Sequence, residues 1–404
     1  MPKYKFYTKI ESNVPVSNLF YDLDVYKTDS NNKKKVLLSV AQQPVDPGYY
    51  TQPHDTNETD DDLSVIYILE INLYRKHGGK LISVLSSPAK KMYTLGEIAS
   101  GTTYSKSKRE NVCYFETKAQ TKPVNDKGDD NIHTVQITCQ ERAFIAKNYP
   151  VGSPDDPFDR RKFNSQISSR MNNSSYPNQG GTSLCGPAAF FYCLQMDRPD
   201  VYKQAANELW LYGKTKIGTL EISPGDGCRH PKGSFYDDYG REAVSGLDWI
   251  TLASLRDSEN SIMSYDEVGD QVAGITMWGK LTEWFEKAGY EKIFDNISLS
   301  HANVNDIISL NNYVCSGHKV VSLISAGMLS DFPGDSSSKN HWIVWDSQVK
   351  CSDGNSVSAS TISLDKVDLT LFSWGSVKSQ LKNNVNLDVF MKHTFGGLVF
   401  KPMR

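Results

Sequence analysis

The stretch NQGGTSLCGPAAF, residues 178–190, places a cysteine between a loop rich in glycine, serine and asparagine and an apolar run. The apolar run predicts a helix with Pro187 in its first turn, where the missing N–H does no harm. Cys185 then lies at the helix N-terminus, where the macrodipole and unpaired backbone N–H groups favour a thiolate. Gln179, six residues earlier, can donate its amide to the oxygen that becomes negative when a thiolate attacks a carbonyl. This pattern is typical of a cysteine nucleophile.

A general base is the next requirement, and His341 has the best position among the eight histidines. It follows the polar loop 331–339 and opens the β-prone run HWIVWD, residues 341–346. A histidine at such a junction has a fixed backbone and an open side. The long separation from Cys185, with the cysteine first, suits enzymes of the papain type.

A second β-prone run, LTLFSWG at residues 369–375, ends in a tryptophan and a glycine. We expect it to pair with the strand of His341 through a hairpin near Gly354. That pairing would bring Ser373 close to His341 and let Trp374 cover the site.

These motifs resemble those of papain-like cysteine peptidases. Gln179 and Cys185 match the oxyanion glutamine and the nucleophile, residues 340–341 (NH) match the Asn-His pair, and residues 373–375 (SWG) match the end of the Asn-Ser-Trp-Gly motif. The form CGPAA is closer to bacterial peptidases similar to bacteriocin-processing enzymes. The resemblance covers about residues 165–404, through short motifs separated by long unmatched segments.

The residue that would orient the histidine departs from the family pattern. Phe372 stands where papain-like enzymes carry an asparagine. The alternatives are Ser373, which is adjacent, Asp368, on the same strand face as Phe372, and Asp346. Strand alternation points Asp346 to the face opposite His341, so we rank it below Ser373.

The resemblance implies a cysteine-nucleophile hydrolase that cleaves an amide or peptide bond through a thioester. Cys185 would attack, Gln179 would hold the oxyanion, and His341 would accept and return the proton. A deamidase or an acyltransferase would use the same residues. A catalytically inactive papain-like binding protein is a further alternative, favoured by Phe372.

The other six cysteines have no comparable motif around them. Cys193, two helical turns after Cys185, suits core packing. Cys228 and His230 form a weak metal motif, because no second cluster has ligand spacing. We therefore predict neither a metal nor a cofactor. The six are Cys113, Cys139, Cys193, Cys228, Cys315 and Cys351.

Composition limits the class of protein and its partners. A chain of 404 residues favours two domains. The 44 basic and 47 acidic residues give a net charge of −3, without the basic footprint of a nucleic-acid-binding protein. Seven cysteines, an odd number, favour synthesis in a reducing compartment. The N-terminus lacks the apolar core of a signal peptide and no run is long enough to cross a membrane.

We expect an α+β protein in three parts. Residues 1–148 would form a β-sandwich-like accessory or recognition domain, residues 149–183 a linker or flap, and residues 184–404 a papain-like catalytic domain with an early helical layer and a late antiparallel sheet. Predicted helices are 187–196, 200–212, 246–255 and 281–289, and predicted late strands are 319–325, 342–347, 358–364 and 367–373.

The biological setting is inferred by analogy. A chain made in the bacterial cytoplasm without a cleaved signal peptide, with a β-rich accessory domain, resembles secreted effectors or toxins, for which type VI secretion is one route. The expected substrate is peptidoglycan or a target-cell protein, and a cognate inhibitor (immunity) protein is an expected partner.

Overall fold

The computed structural model describes residues 2–8, 10, 16–85, 87–100, 114–118, 133–137, 142–259, 276–332 and 338–404. Cys113, Cys139 and residues 333–337 of the loop before His341 lie outside these ranges. The chain forms two compact units, Met1–Arg142 and Ala143–Arg404. The boundary predicted at 148/149 lies a few residues beyond this division.

The first unit consists mainly of strands. Its described elements are β1 (Lys5–Phe6), β2 (Leu19–Thr28), β3 (Lys34–Pro44), β4 (His54–Asp55), β5 (Ile66–His77), β6 (Lys80–Ser83), β7 (Ala89–Thr94), α1 (Leu95–Ser100), β8 (Tyr114–Lys118) and β9 (His133–Ile137).

An antiparallel sheet organises this unit, with strands β3, β2, β5 and β6 in that order and β7 also beside β5. Strand β2 buries every second residue of LFYDLDV on one face, as strand periodicity requires. The other described strands form the two-stranded pairs β1–β4 and β8–β9. The described residues therefore show one five-stranded sheet and two small pairs, not the two facing sheets of the predicted sandwich.

The second unit mixes helices and strands. Its helices are α2 (Arg160–Met171), α3 (Cys185–Asp197), α4 (Pro199–Tyr212), α5 (Asp226–Arg229), α6 (Gly246–Asp248), α7 (Ser254–Ser258), α8 (Trp278–Ala288), α9 (Val304–Cys315) and α10 (Leu387–Lys392). Its strands are β10 (Thr215–Ile217), β11 (Leu220–Ile222), β12 (Glu291–Asp295), β13 (Lys319–Ile324), β14 (His341–Trp345), β15 (Lys350–Cys351), β16 (Val367–Asp368), β17 (Thr370–Ser373), β18 (Ser376–Ser379) and β19 (Thr394–Lys401).

A six-stranded antiparallel sheet dominates this unit, in the order β12, β19, β13, β14, β17, β18. The pairing of β14 with β17 is confirmed, with Val344 opposite Phe372. Helices α3 and α9 both pack against this sheet, and α3 contacts β14 and β17. The combination of helices with antiparallel sheets is compatible with the predicted α+β class.

The predicted linker or flap, residues 149–183, contains α2, which buries Phe163 and Ile167 and is capped by the Asp159 side chain. The strand predicted at residues 358–364 was wrong, because this segment forms turns and irregular backbone. In the described part of the chain, no helix is both long and apolar enough to cross a bilayer.

Candidate active site

The helix that begins at Cys185 is buried nearly all round. Every residue of α3 except Met196 is buried, which is the pattern of a central core helix. The loop before it turns at Gly180, whose φ is 57° and whose absent Cβ leaves room for the carbonyl oxygen of Ala243. This loop delivers Cys185 to the first turn of the helix with only 3% of the residue exposed.

The Cys185 sulfur faces backbone donors from two elements. The N–H groups of Cys185 and Gly186 come from the helix N-terminus, and that of Trp342 comes from β14, next to His341. Burial nevertheless raises the pKa of the Cys185 thiol to about 11, outweighing these N–H groups and the positive charge of Arg256, which lower it. The sequence predicted a thiol of lowered pKa at a helix N-terminus. That prediction omitted the loss of water around a buried sulfur.

His341 is equally enclosed, with 3% of the residue exposed at the start of β14. Its Nε2 lies 2.6 Å from Ser373 Oγ, and the indole of Trp374 stacks on the imidazole with ring centroids 4.4 Å apart. Burial lowers the pKa of His341 to about 3. Because Ser373 engages Nε2, Nδ1 is the ring nitrogen left for proton exchange with a second group.

The stacked tryptophan has an unusual backbone. Trp374 has a φ of 42°, in the left-handed region that a bulky side chain rarely adopts. Gly375 follows with a φ of 71°, and a Cβ there would lie 2.8 Å from Asn178 Cβ. The tight turn after β17 thus packs closely against the loop that carries Gln179.

Of the three candidate orienting residues, Ser373 is hydrogen-bonded to His341. Asp346 is exposed and accepts a bond from the Tyr192 hydroxyl at 3.2 Å. Asp368 accepts a bond from Ser379. Phe372, on the opposite face of β17 from Ser373, stacks on Tyr192 with ring centroids 4.0 Å apart. Its position is therefore one of core packing.

Gln179 has 6% of its surface exposed, and its amide is fixed by a local turn. Its Nε2 donates to the Thr182 carbonyl at 2.9 Å, while the Thr182 hydroxyl donates to the Gln179 carbonyl at 2.6 Å. A carboxamide nitrogen has two N–H groups, so the bond to Thr182 uses half of its donor capacity.

A cleft of about 490 Å³ brings the predicted residues together. Cys185, His341 and Gln179 all line it, and Ser373 lies behind His341. Trp374 and Phe332 give it aromatic walls. Polar side chains such as Asp331, Lys339 and Asn340 line it as well, and a cleft of this size can hold a small substrate segment.

Sequence reasoning missed Arg256 and Thr276, which lie behind Cys185. Arg256 is 9% exposed and Thr276 is 1% exposed. Arg256 follows a π-helical turn, Trp249–Ala253, that no sequence pattern indicated. Arg256 stands out because it is buried. Burial of an arginine on a helix depends on tertiary packing, so the sequence alone does not show it.

The weak metal motif gains no support. Cys228 is fully buried, whereas the half-exposed His230 lies 3.0 Å from Asp226. Among the residues that the structure describes, no group of three or more His, Cys, Asp or Glu side chains could hold a metal ion.

Comparison with known proteins returns no relatives: no family model, no curated protein and no solved structure matches the chain.

Proposed function

We propose that this protein is a cysteine-nucleophile hydrolase of the papain-like kind that cleaves an amide or peptide bond. The observation that carries the proposal is the shared cleft of Cys185 and His341. These residues are far apart in the chain, and the sequence predicted both as partners. The hydrogen bond between His341 and Ser373 supplies the third group that a catalytic histidine needs.

The reaction begins from a neutral pair. With a thiol pKa of about 11 and an imidazole pKa of about 3, Cys185 is a thiol and His341 is uncharged at pH 7. His341 therefore acts as a general base, taking the thiol proton as sulfur attacks the carbonyl carbon. A substrate that brings polar groups into the cleft makes this proton transfer more favourable, because its polar groups interact with the thiolate and imidazolium charges as they form.

The tetrahedral intermediate carries its negative charge on the former carbonyl oxygen. The Cys185 backbone N–H and the Gln179 amide stabilise this oxyanion. The C–N bond then breaks, and the amine leaves with the proton from His341. Water, deprotonated by His341, attacks the thioester, releasing the carboxylic acid and returning the proton to sulfur.

For the biological role, we propose a bacterial effector or toxin that acts on peptidoglycan or on a target-cell protein and is held in check by an inhibitor (immunity) protein. The cleft of about 490 Å³ beside Cys185 and His341 supports a substrate that presents a short segment to these residues. A deamidase or acyltransferase would need the same groups, with a different amine or acceptor.

A second candidate is a binding protein without catalytic activity. The specific observation in its favour is the enclosure of both reactive groups, each 3% exposed, with the thiol pKa raised. A buried cysteine in such surroundings is ordinarily inert.

Alkylation of the folded protein separates these candidates. If the protein is a hydrolase, we expect iodoacetamide to modify Cys185 well ahead of Cys193, which is buried farther along the same helix. We also expect His341→Ala to slow the modification of Cys185. Peptide mass spectrometry measures both rates. Equal, slow modification of the two thiols, unaffected by His341→Ala, would establish the inert binding protein.

Expression in bacteria locates the substrate. Growth arrest by the wild type and by Cys315→Ala, but not by Cys185→Ala, supports hydrolysis; Cys315 is exposed on α9 and serves as the matched control. Arrest from the periplasm alone points to peptidoglycan, and arrest from the cytoplasm points to a cytoplasmic target. Arrest by Cys185→Ala as strong as that of the wild type would overturn the proposal.

A further inference from the structure

A single threonine touches the residues next in the chain to both reactive groups. Thr276 lies just before α8 and is 1% exposed. Its Oγ1 lies only 2.5 Å from the point where a Cβ on Gly186 would be. Its carbonyl oxygen accepts a hydrogen bond of 2.9 Å from the indole Nε1 of Trp342. Gly186 follows Cys185 and Trp342 follows His341, so Thr276 links the helix of the one to the strand of the other.

A buried arginine contacts Thr276. Arg256, on α7, donates from Nη1 to Thr276 Oγ1 at 3.4 Å. Because Thr276 packs directly on Gly186, the guanidinium lies one residue behind the first turn of α3. Its charge acts on the neighbouring sulfur and lowers the pKa of the Cys185 thiol, against the larger effect of burial.

The helical segment before Arg256 changes the direction in which this side chain points. The π-helical residues Trp249–Ala253 insert an extra residue into the helical path and rotate the next turn of helix. The Thr251 hydroxyl donates to the Leu247 carbonyl at 2.8 Å in this segment. Such π-turns occur often at functional sites.

We propose that Arg256, acting through Thr276, is a positioning residue that holds Cys185 against the strand of His341 and stabilises the thiolate as it forms. This role rests on the proposed hydrolase function and names a group outside the predicted set of Cys185, His341, Gln179 and Ser373.

The other charged groups around Cys185 do not supply the same field. In the cleft, Asp331 pairs with Lys378 at 3.0 Å, and Lys339 donates to the carbonyls of Ser298 and Leu299. On the helices packed against α3, Lys280 of α8 pairs with Glu283, and Glu208 of α4 accepts from Thr215. From β14 and β17 come the uncharged imidazole of His341 and the hydroxyl of Ser373. A cation behind the nucleophile is thus the specific contribution of Arg256.

The test compares Arg256→Gln, Arg256→Lys and Thr276→Val in the full chain. Iodoacetamide alkylation of Cys185 is followed by peptide mass spectrometry from pH 6 to pH 10, with the exposed Cys315 as the reference thiol in the same molecule. We expect Arg256→Gln to slow Cys185 about three- to tenfold, the effect of about half to one pKa unit, and to move its pH profile upward. Arg256→Lys should restore most of the rate.

Thr276→Val keeps the shape of the side chain and removes only the oxygen that Arg256 contacts, so it should give a smaller slowing in a folded protein. This variant decides the matter if circular dichroism shows Arg256→Gln to be unfolded. If Arg256→Gln is folded and its pH profile is unchanged, the role of Arg256 is overturned while the hydrolase proposal stands. If Arg256→Gln is unfolded, an unchanged pH profile in Thr276→Val has the same meaning. Equal, slow alkylation of Cys185 and the buried Cys193 in the wild type would overturn the hydrolase itself.

Discussion

The hydrogen bond between His341 and Ser373 differs in kind from one made by a carboxamide or a carboxylate oxygen. A hydroxyl both donates and accepts, so it can satisfy either tautomer of the ring, whereas a carboxylate would favour the charged imidazolium. The lowered pKa of His341 agrees with this neutral partner. Ser373 therefore suits a base that starts uncharged.

Removing that hydroxyl gives the first prediction. Ser373→Ala leaves the buried His341 without its Nε2 partner, and a hydrogen bond of this kind is worth about 1 kcal/mol. We expect about a fivefold fall in the rate at which iodoacetamide modifies Cys185, because the ring then samples other orientations. Ser376→Ala is the control, since its hydroxyl donates to the Ser373 backbone carbonyl and not to the His341 ring. Equal rates for both variants would contradict an orienting role.

The acid stability of the protein gives the second prediction. The pKa of His341 is about 3 when folded, against about 6.5 in an unfolded chain. Between these values the unfolded state binds a proton that the folded state does not. The free energy of unfolding therefore falls as the pH drops below about 6.5, by up to about 1.4 kcal/mol per pH unit from this group.

His341→Gln removes this contribution. Its Tm should fall less than that of the wild type between pH 7 and pH 4.5, as circular dichroism can measure. Parallel loss of Tm in the two proteins would show that His341 is accessible to protons when folded.

At this scale the sequence identified side chains that line one cleft but not their protonation. Cys185, Gln179 and His341 were found because each has a local signature: a loop before a helix, a fixed spacing, and a loop before a strand. Desolvation depends on every residue packed around the sulfur, so no local pattern could predict a raised thiol pKa. Arg256 was missed for the same reason.

The elements around the site depend on one close contact at the start of α3. Gly186 is required because Thr276 occupies the space of a side chain. Gln195, on the same helix, donates from Nε2 to the carbonyls of Arg170 and Ser175, and so secures the loop that leads to Gln179. Helix α3 thus fixes both its own first turn and the loop that carries Gln179.

Gly186→Ala gives the third prediction. Its Cβ would lie 2.5 Å from Thr276 Oγ1 and 2.7 Å from Thr276 Cβ, so the backbone must shift. We expect a loss of about 1–3 kcal/mol in the free energy of unfolding, together with slower alkylation of Cys185. Urea unfolding measures the first effect. Gly279→Ala, at an exposed position of α8 with open space around it, should cost nothing; equal stability of the two variants would contradict the close contact.

Helix and strand predictions succeeded where the pattern was long and failed where local bonds compete. The helix expected at 187–196 and the strand expected at 319–325 match α3 and β13 within two residues. The segment 358–364 alternates like a strand, but its side chains bond nearby backbone, as when Ser358 N donates to Thr361 Oγ1 at 2.9 Å. Such bonds favour turns over a ladder.

Across the second unit, a buried ion pair ties the far end of α3 to the central sheet. Asp197 lies 2.9 Å from Lys319 of β13 and accepts from the Met403 backbone at 3.3 Å. Arg198 donates to the Arg404 carbonyl at 2.7 Å. Helix α3 is therefore anchored at both ends, by Thr276 at one and by these charges at the other.

Lys319→Met gives the fourth prediction. It leaves the carboxylate of Asp197, 6% exposed, without its cation, and such a break typically costs about 3–5 kcal/mol. Urea unfolding should show this loss, and the double variant with Asp197→Asn should recover part of it. Lys401→Met breaks the exposed pair with Glu291 and should cost less than about 1 kcal/mol. Similar losses for both lysines would contradict the anchoring role.

For the whole molecule, the length of the chain favoured two domains and the order of predicted helices and strands favoured a mixed class; the chain forms two compact units. The order of strands was beyond prediction, because β19, last in the chain, lies between β12 and β13. Such pairing is decided by which faces bury together over long separations, and no single segment carries that information.

The indole stacked on His341 also gives the protein an optical property. A protonated imidazole quenches the emission of a tryptophan in contact with it more strongly than a neutral one does. Trp374 lies 4.4 Å from the ring of His341, so its fluorescence reports directly when that ring gains a charge. The difference in emission between the wild type and Trp374→Phe thus offers a spectroscopic titration of the buried histidine, without any added dye or substrate.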